Sequence, residues 1–211
     1  MALSNRGNIL SNKKNNKEAE LCYRKAIETK SDFSLAYNNL GSLLSKQGNL
    51  IEAEKFIEKA INFNPKFELA YVNLGTIKID LDTLSEAEEL FLSAIEINKN
   101  YNYAYCNLFR LYEKTNKISK LKNKIEGLKQ NKKINNEIFL FKARVSFREK
   151  EFIKAKNFID QVSIEWIKNT DHFTNLLYWS FRAFIEEKVK NYDEAFKCFE
   201  KSQLNLKLRK D

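Results

Sequence analysis

Apolar residues recur along this chain at steps of three and four, in blocks separated by short polar breaks. The pattern is plainest between Ser34 and Phe67. Tyr37, Leu40, Gly41 and Leu44 share one helical stripe; after a break at Gly48-Asn49, Ala53, Phe56, Ile57, Ala60 and Ile61 share a second. Asn64-Pro65 closes that second block, because a residue before proline avoids helical backbone. The pattern predicts two antiparallel helices joined by a tight turn, the second opened by a capping box of Asn49 and Glu52.

The block returns at a fixed distance. Tyr71, Leu74 and Gly75, then Ala87, Phe91 and Ala94, lie 34 residues after their counterparts, with Thr83 and Glu86 as the box. Gly7, Leu10, Ala19, Tyr23 and Ala26 lie 34 residues before, with Asn15 and Glu18. A period of this length means stacked copies of one supersecondary unit. The small residues fall where two helices approach closely, since a larger side chain there would force them apart. The expected fold is all-α: a right-handed α-solenoid of about six antiparallel helical hairpins in a single array over residues 1–211.

The units are expected at about 1–33, 34–67, 68–101, 102–135, 136–169 and 171–208. The fourth diverges, with Phe109, Leu121 and Leu128 in place of small residues, which predicts looser packing. The fifth, also divergent, recovers with Phe139, Ala143, Ala155, Ile159 and Val162. About six extra residues precede the sixth. There Asp171 is expected to cap a longer helix through Trp179, Ala183 and Ile185, and Asn191 with Glu194 to cap the last, whose apolar face is Ala195, Phe196 and Phe199.

The pattern resembles the tetratricopeptide repeat family, whose signature is an aromatic, Leu-Gly, a further large residue, then Ala, Phe, Ala and Pro. Tyr37, Leu40-Gly41, Leu44, Ala53, Ile57, Ala60 and Pro65 fill those places in the best copy. The resemblance is strong over residues 1–101 and weaker beyond. It implies a scaffold that binds other proteins rather than an enzyme. The stretch Asn191–Lys201 also resembles the final repeat ahead of some bacterial sulfotransferase domains.

Composition narrows the classes. One proline and five glycines among 211 residues favour long helices over strands. No apolar run approaches the roughly 20 residues of a spanning helix, and no charged start with an apolar block marks a signal peptide. Cys22, Cys106 and Cys198 are too few and too far apart for a disulfide framework or a close metal site; they read as buried small side chains in a cytoplasmic protein. His172 is the sole histidine, and no glycine-rich phosphate loop is present. Acidic pairs such as Glu52 with Glu54 sit in helix first turns, where the dipole favours them. No catalytic residue, metal ligand or cofactor is expected.

The net charge of +9 is lopsided: residues 1–101 are nearly neutral, and residues 102–211 carry 24 basic against 14 acidic side chains. Eight lysines fall between Lys114 and Lys133 against Glu126 alone. An AT-rich genome would enrich Lys and Asn generally, which weakens any argument from charge alone.

One polar series stands out within the repeat. Asn5, Asn39, Asn73 and Asn107 are spaced by 34. Asparagine is a poor helix former, so four at one place in a helix call for a reason. Its amide offers donor and acceptor together, which suits an extended peptide backbone. Asn39, Ser42 and Lys46 define a stripe beside the packing stripe, repeated as Asn73 and Thr76, then Tyr103, Asn107 and Arg110. In a stacked solenoid that stripe faces the concave side. The transferases that add N-acetylglucosamine to Ser/Thr carry such a ladder in their tetratricopeptide arrays, and by resemblance Asn39, Asn73 and Asn107 carry over best. Phe141 and Phe181 stand where further rungs would be, so the ladder ends at Asn107. The lysines and arginine that clamp a peptide C-terminus in some chaperone-binding members are replaced by Asn38, Val72, Leu35 and Leu69.

The expected function is therefore a non-catalytic scaffold holding an extended peptide of a protein partner on its concave face. The alternative is the substrate-binding part of a sulfo- or glycosyltransferase with its catalytic domain elsewhere. The basic half leaves room for an acidic partner. Nucleic acid, stacked on Tyr101, Tyr103, Tyr105 and Tyr112 near Arg110, is the weaker reading. A membrane partner is not expected, and the exposed ends of an array allow self-association.

Overall fold

The structure, a computed structural model, describes residues 2–128, 136–170 and 172–207. The expected cap at Asp171, the end of the lysine run (Lys129, Lys132, Lys133) and the C-terminal Arg209 and Lys210 lie outside the described residues, as do the limits near 135 and 208. Two compact units divide the chain, Met1–Leu111 and Tyr112–Asp211. Among the described residues the protein is all-α and built from helical hairpins, without strands.

The first unit holds α1 (Ala2–Asn12), α2 (Asn16–Thr29), α3 (Ser34–Lys46), α4 (Leu50–Phe63), α5 (Glu68–Asp80), α6 (Leu84–Ile97) and most of α7 (Asn102–Lys114). The second holds α8 (Ile118–Glu126), α9 (Asn136–Arg148), α10 (Phe152–Ile159), α11 (Ile164–Lys168), α12 (His172–Lys188) and α13 (Tyr192–Lys207).

Among the described residues one turn recurs six times. Lys14, Gly48, Asp82, Asn116, Lys150 and Lys190 have left-handed backbone, with φ between 55° and 86°. After each, the next N–H reaches five residues back: Asn15 to Leu10, Asn49 to Leu44, Thr83 to Lys78, Lys117 to Tyr112, Glu151 to Ser146 and Asn191 to Glu186, all at 2.8–2.9 Å. The left-handed residue itself donates three residues back, Gly48 to Ser45 for example. This is the Schellman closure, which satisfies the last carbonyls of one helix and hands the chain straight to the next. The left-handed residue recurs every 34 residues until the final step, which is 40.

Side-chain capping of the second helices is sparse. Asn15 accepts from the Glu18 N–H at 3.4 Å, but neither Asn49 nor Thr83 makes the expected side-chain cap bond. The Thr83 hydroxyl donates instead to the Lys78 carbonyl. Asn191 gives its amide to Glu186.

The small residues do what the period demands. A Cβ on Gly41 would stand 2.5 Å from Ile57 Cγ1 and 2.9 Å from the Ala53 carbonyl; one on Gly75 or Gly7 would meet the rings of Phe91 or Tyr23 as closely. In the first unit α1 packs against α3 and α3 against α5, whereas no comparable packing joins the second helices to one another among the described residues. The first helices therefore form the closer, inner row and the second helices the outer one.

In the second unit α9 pairs with α10 and α12 with α13. The extra residues between these hairpins form the short helix α11, which drops Ile167 into a core with Ala155, Ile159, Tyr178, Trp179 and Ala183. Cys22, Cys106 and Cys198 are buried and unbridged. Among the described residues no helix is long and apolar enough to cross a membrane.

Candidate functional site

The inner row of the first unit brings three adjoining registers together. Ser4, Asn38, Val72 and Cys106 form a buried register; Asn5, Asn39, Asn73 and Asn107 follow one residue later; Asn8, Ser42, Thr76 and Arg110 lie three residues beyond those. Side chains on neighbouring first helices meet across these registers, and the sequence at each decides what the asparagine can bond.

Asn39 spends both amide protons on the preceding hairpin, on Asn8 Oδ1 at 2.9 Å and Ser4 Oγ at 3.3 Å. Its carbonyl accepts from Asn38 Nδ2 at 3.4 Å. Asn73 donates to Asn38 Oδ1 at 2.9 Å, again one hairpin back. For Asn107 the equivalent acceptor would be residue 72, and Val72 offers none. Asn107 turns to its own helix and donates to the Tyr103 carbonyl at 2.7 Å. Buried Asn38, only 1 % exposed, is thus paired on both sides, as a buried amide must be.

Tyr23 completes the network. Where the other hairpins place Ile57 and Phe91 against the glycine, this one places a tyrosine, and its hydroxyl donates to Asn8 Oδ1 at 2.7 Å. Burial, reinforced by Cys22, pushes the Tyr23 pKa up and keeps the hydroxyl a donor. Asn8, Ser11, Asn12, Tyr23, Asn39, Ser42, Leu43 and Lys46 line a polar pocket of about 310 Å³.

Of the residues singled out from the sequence, Asn39, Ser42 and Lys46 are brought together in this pocket. Asn73 joins through Asn38. Asn5 is exposed on α1, outside it. Thr76 bonds the Val72 carbonyl of its own helix, Tyr103 is exposed and edge-on to Tyr101, and Arg110 is exposed. Burial, then Glu68 and Tyr103, raise the Tyr101 pKa to about 12.

Sequence reasoning missed Asn8, Tyr23, Ser4 and Asn38. Asn8 was within reach, since one period separates it from Ser42. Ser4 and Asn38 were not, because they occupy a register that packing fills with Val72 and Cys106 further on.

The second unit has a different surface on its first helices. Phe141 is buried at the ladder register beneath Arg144. A pocket of about 290 Å³ there is lined by Glu113, Arg144, Phe147, Arg148 and Phe181. Arg144 is paired with Glu113 at 3.1 Å, and Phe147 and Phe181 meet edge to face. Amides give way to guanidinium groups and rings.

Hairpins repeating at a fixed step, closed by one turn and packed on small residues, define a helical-repeat protein. Residues 34–67 match one family model for the tetratricopeptide repeat, and residues 2–33 and 69–101 match another. Residues 2–33, 34–67 and 69–101 are thus tetratricopeptide repeats. No curated protein matches it in sequence.

Solved structures share the fold at low identity. The chain is similar to PilF of Pseudomonas aeruginosa (17 % identity, TM-score 0.77, covering 93 % of this chain and 87 % of that one). It is similar to YrrB, a TPR protein with an unusual peptide-binding site (17 %, TM-score 0.60, 90 % and 98 %). It is also similar to the first TPR of Spaghetti (RPAP3) bound to an HSP90 peptide (22 %, TM-score 0.51, 54 % and 90 %).

Proposed function

We propose that this chain is a protein-interaction scaffold whose inner row of first helices, in the first unit, holds an extended peptide of a protein partner. The observation that carries the reading is the polar pocket of Asn8, Asn39, Ser42 and Lys46 on that row. It offers amide, hydroxyl and ammonium groups on rigid helices, and an extended backbone needs donors and acceptors at regular intervals. YrrB and the RPAP3 repeat are described as binding peptides, in keeping with it.

The asparagines divide the work. Asn39 commits both amide protons to Ser4 and Asn8, so its main role is to shape the pocket. Asn73 commits one amide proton to Asn38 and keeps a second for a ligand. Asn107 needs only to leave a carbonyl of its own helix. At a net gain of about 1 kcal/mol per hydrogen bond, such contacts supplement other anchors and do not hold a peptide alone.

The test uses peptides selected from a random displayed library on the purified chain, with affinity read by fluorescence anisotropy. Asn73→Ala with Asn107→Ala is expected to weaken the selected peptide about tenfold at unchanged thermal unfolding. Asn39→Ala is expected to lower both affinity and melting temperature. Full affinity in the Asn73/Asn107 double variant overturns the proposal.

A further inference from the structure

Away from the inner row, the second unit carries a cleft of about 630 Å³ between two hairpin turns, the α9–α10 turn and the α12–α13 turn. Lys150 and Lys190, the left-handed residues of those turns, stand at its rim with Lys188. Neither Lys150 nor Lys190 has an ion-pair partner among the described residues, and Lys188 has only a loose contact with Glu187 at 4.0 Å. Glu151, the one carboxylate lining the cleft, is already held by Lys154 at 2.9 Å.

Apolar side chains share the lining. Phe152 is fixed edge to face against Phe147, and Ile153 beside it is 73 % exposed, the most exposed large apolar side chain described. A cation ring around an exposed aliphatic residue matches one kind of ligand. We propose that this cleft docks an acidic peptide segment of a partner protein, with carboxylates meeting Lys150, Lys188 and Lys190 and an apolar side chain covering Ile153. A polyphosphate backbone would use the lysines but leave Ile153 in water, so the exposed apolar side chain favours peptide over nucleic acid. The site lies wholly in the second unit and stands whether or not the inner row binds peptide.

The probe is a short fluorescein-labelled peptide alternating Glu and Leu, titrated into the full chain. A Glu–Ser peptide and an oligothymidylate of equal charge serve as comparisons. The Glu–Leu peptide should bind saturably and more tightly than either comparison. Ile153→Ser, and Lys150→Gln with Lys190→Gln, should each weaken it about tenfold with unchanged circular dichroism, since all three side chains are exposed. The proposal is overturned if the peptide fails to bind, if either variant retains full affinity, or if the oligothymidylate competes equally while Ile153→Ser has no effect.

Discussion

The two units solve one packing problem with opposite charges. In the first, Lys78, in the last turn of α5, reaches Glu54 on the preceding hairpin and Glu86 on its own, both at 2.6 Å. In the second, Glu186 takes the same place on α12, meeting Lys156 on the preceding hairpin at 2.5 Å and Arg182 one turn back at 3.9 Å. Lys156 lies three periods after Glu54; Glu186 lies three periods and six inserted residues after Lys78. The repeat thus dictates which positions touch and leaves the sign of the charge open. The inner surfaces follow the same rule: one geometry, filled with amides in the first unit and with arginines and rings in the second.

The most disruptive way to break this comparison is at Glu186, which is fully buried. Glu186→Ala leaves Lys156 and Arg182 to share Asp160, takes the acceptor from Asn191, and is expected to cost about 3 kcal/mol in denaturant unfolding. Reversing Lys78 alone should also destabilise, whereas Lys78→Glu with Glu54→Lys should recover part of the loss, because it restores the pair between hairpins while leaving Glu86 against a like charge. No recovery in that double-mutant cycle would mean the two pairs are not equivalent.

Next in size is the glycine contact. Gly41→Leu should cost about 2 kcal/mol or more by overpacking against Ile57 and the Ala53 carbonyl. Ala143, at the same register in the second unit, already carries a Cβ. Ala143→Gly should cost about 1 kcal/mol by helix propensity alone. Equal losses at the two sites would contradict a close approach specific to the glycine hairpins.

The charge pair also sets a pH window. Hydrogen bonds to Glu54 and then Glu86 raise the Lys78 pKa from 10.5 to about 12. A raised lysine stabilises fully below its unfolded value and loses that contribution as pH climbs through the folded one. The difference in stability between wild type and Lys78→Met should therefore hold to pH 10 and vanish between about 10.5 and 12. A difference fading near neutrality would refute the assignment.

The smallest effects lie in the shared turn. Gly48 has φ of +86° with nothing within 4 Å of a Cβ, so Gly48→Ala should cost about 1 kcal/mol through backbone strain alone. Lys150→Gly at the same place in the second unit should shift stability the other way, by less than about 1 kcal/mol. Thermal melts of both variants decide it.

Much of the frame was legible in the sequence. The glycine at 41 and the large residue at 57 fixed the hairpin register, and the extra residues before the sixth hairpin showed as an offset. The fate of that insertion did not show: nothing in Ser163–Thr170 reveals that Ile167 enters the core as a short helix. The capping boxes at Asn49 and Thr83 were sound local chemistry, but neither side chain makes its cap bond: the Thr83 hydroxyl donates to the Lys78 carbonyl, and Lys78 takes Glu86. The asparagine series was visible by period. Its differing hydrogen bonds were not, because they depend on whether Ser4, Asn38 or Val72 lies across the helix boundary.

Hydrogen exchange of the chain with and without a library-selected peptide tests the central claim most directly. Peptide should slow exchange in α1, α3 and α5, the inner row around Asn8, Asn39 and Asn73, and leave α2, α4 and α6 unchanged. Protection confined to the second helices, or to the second unit alone, would contradict the account.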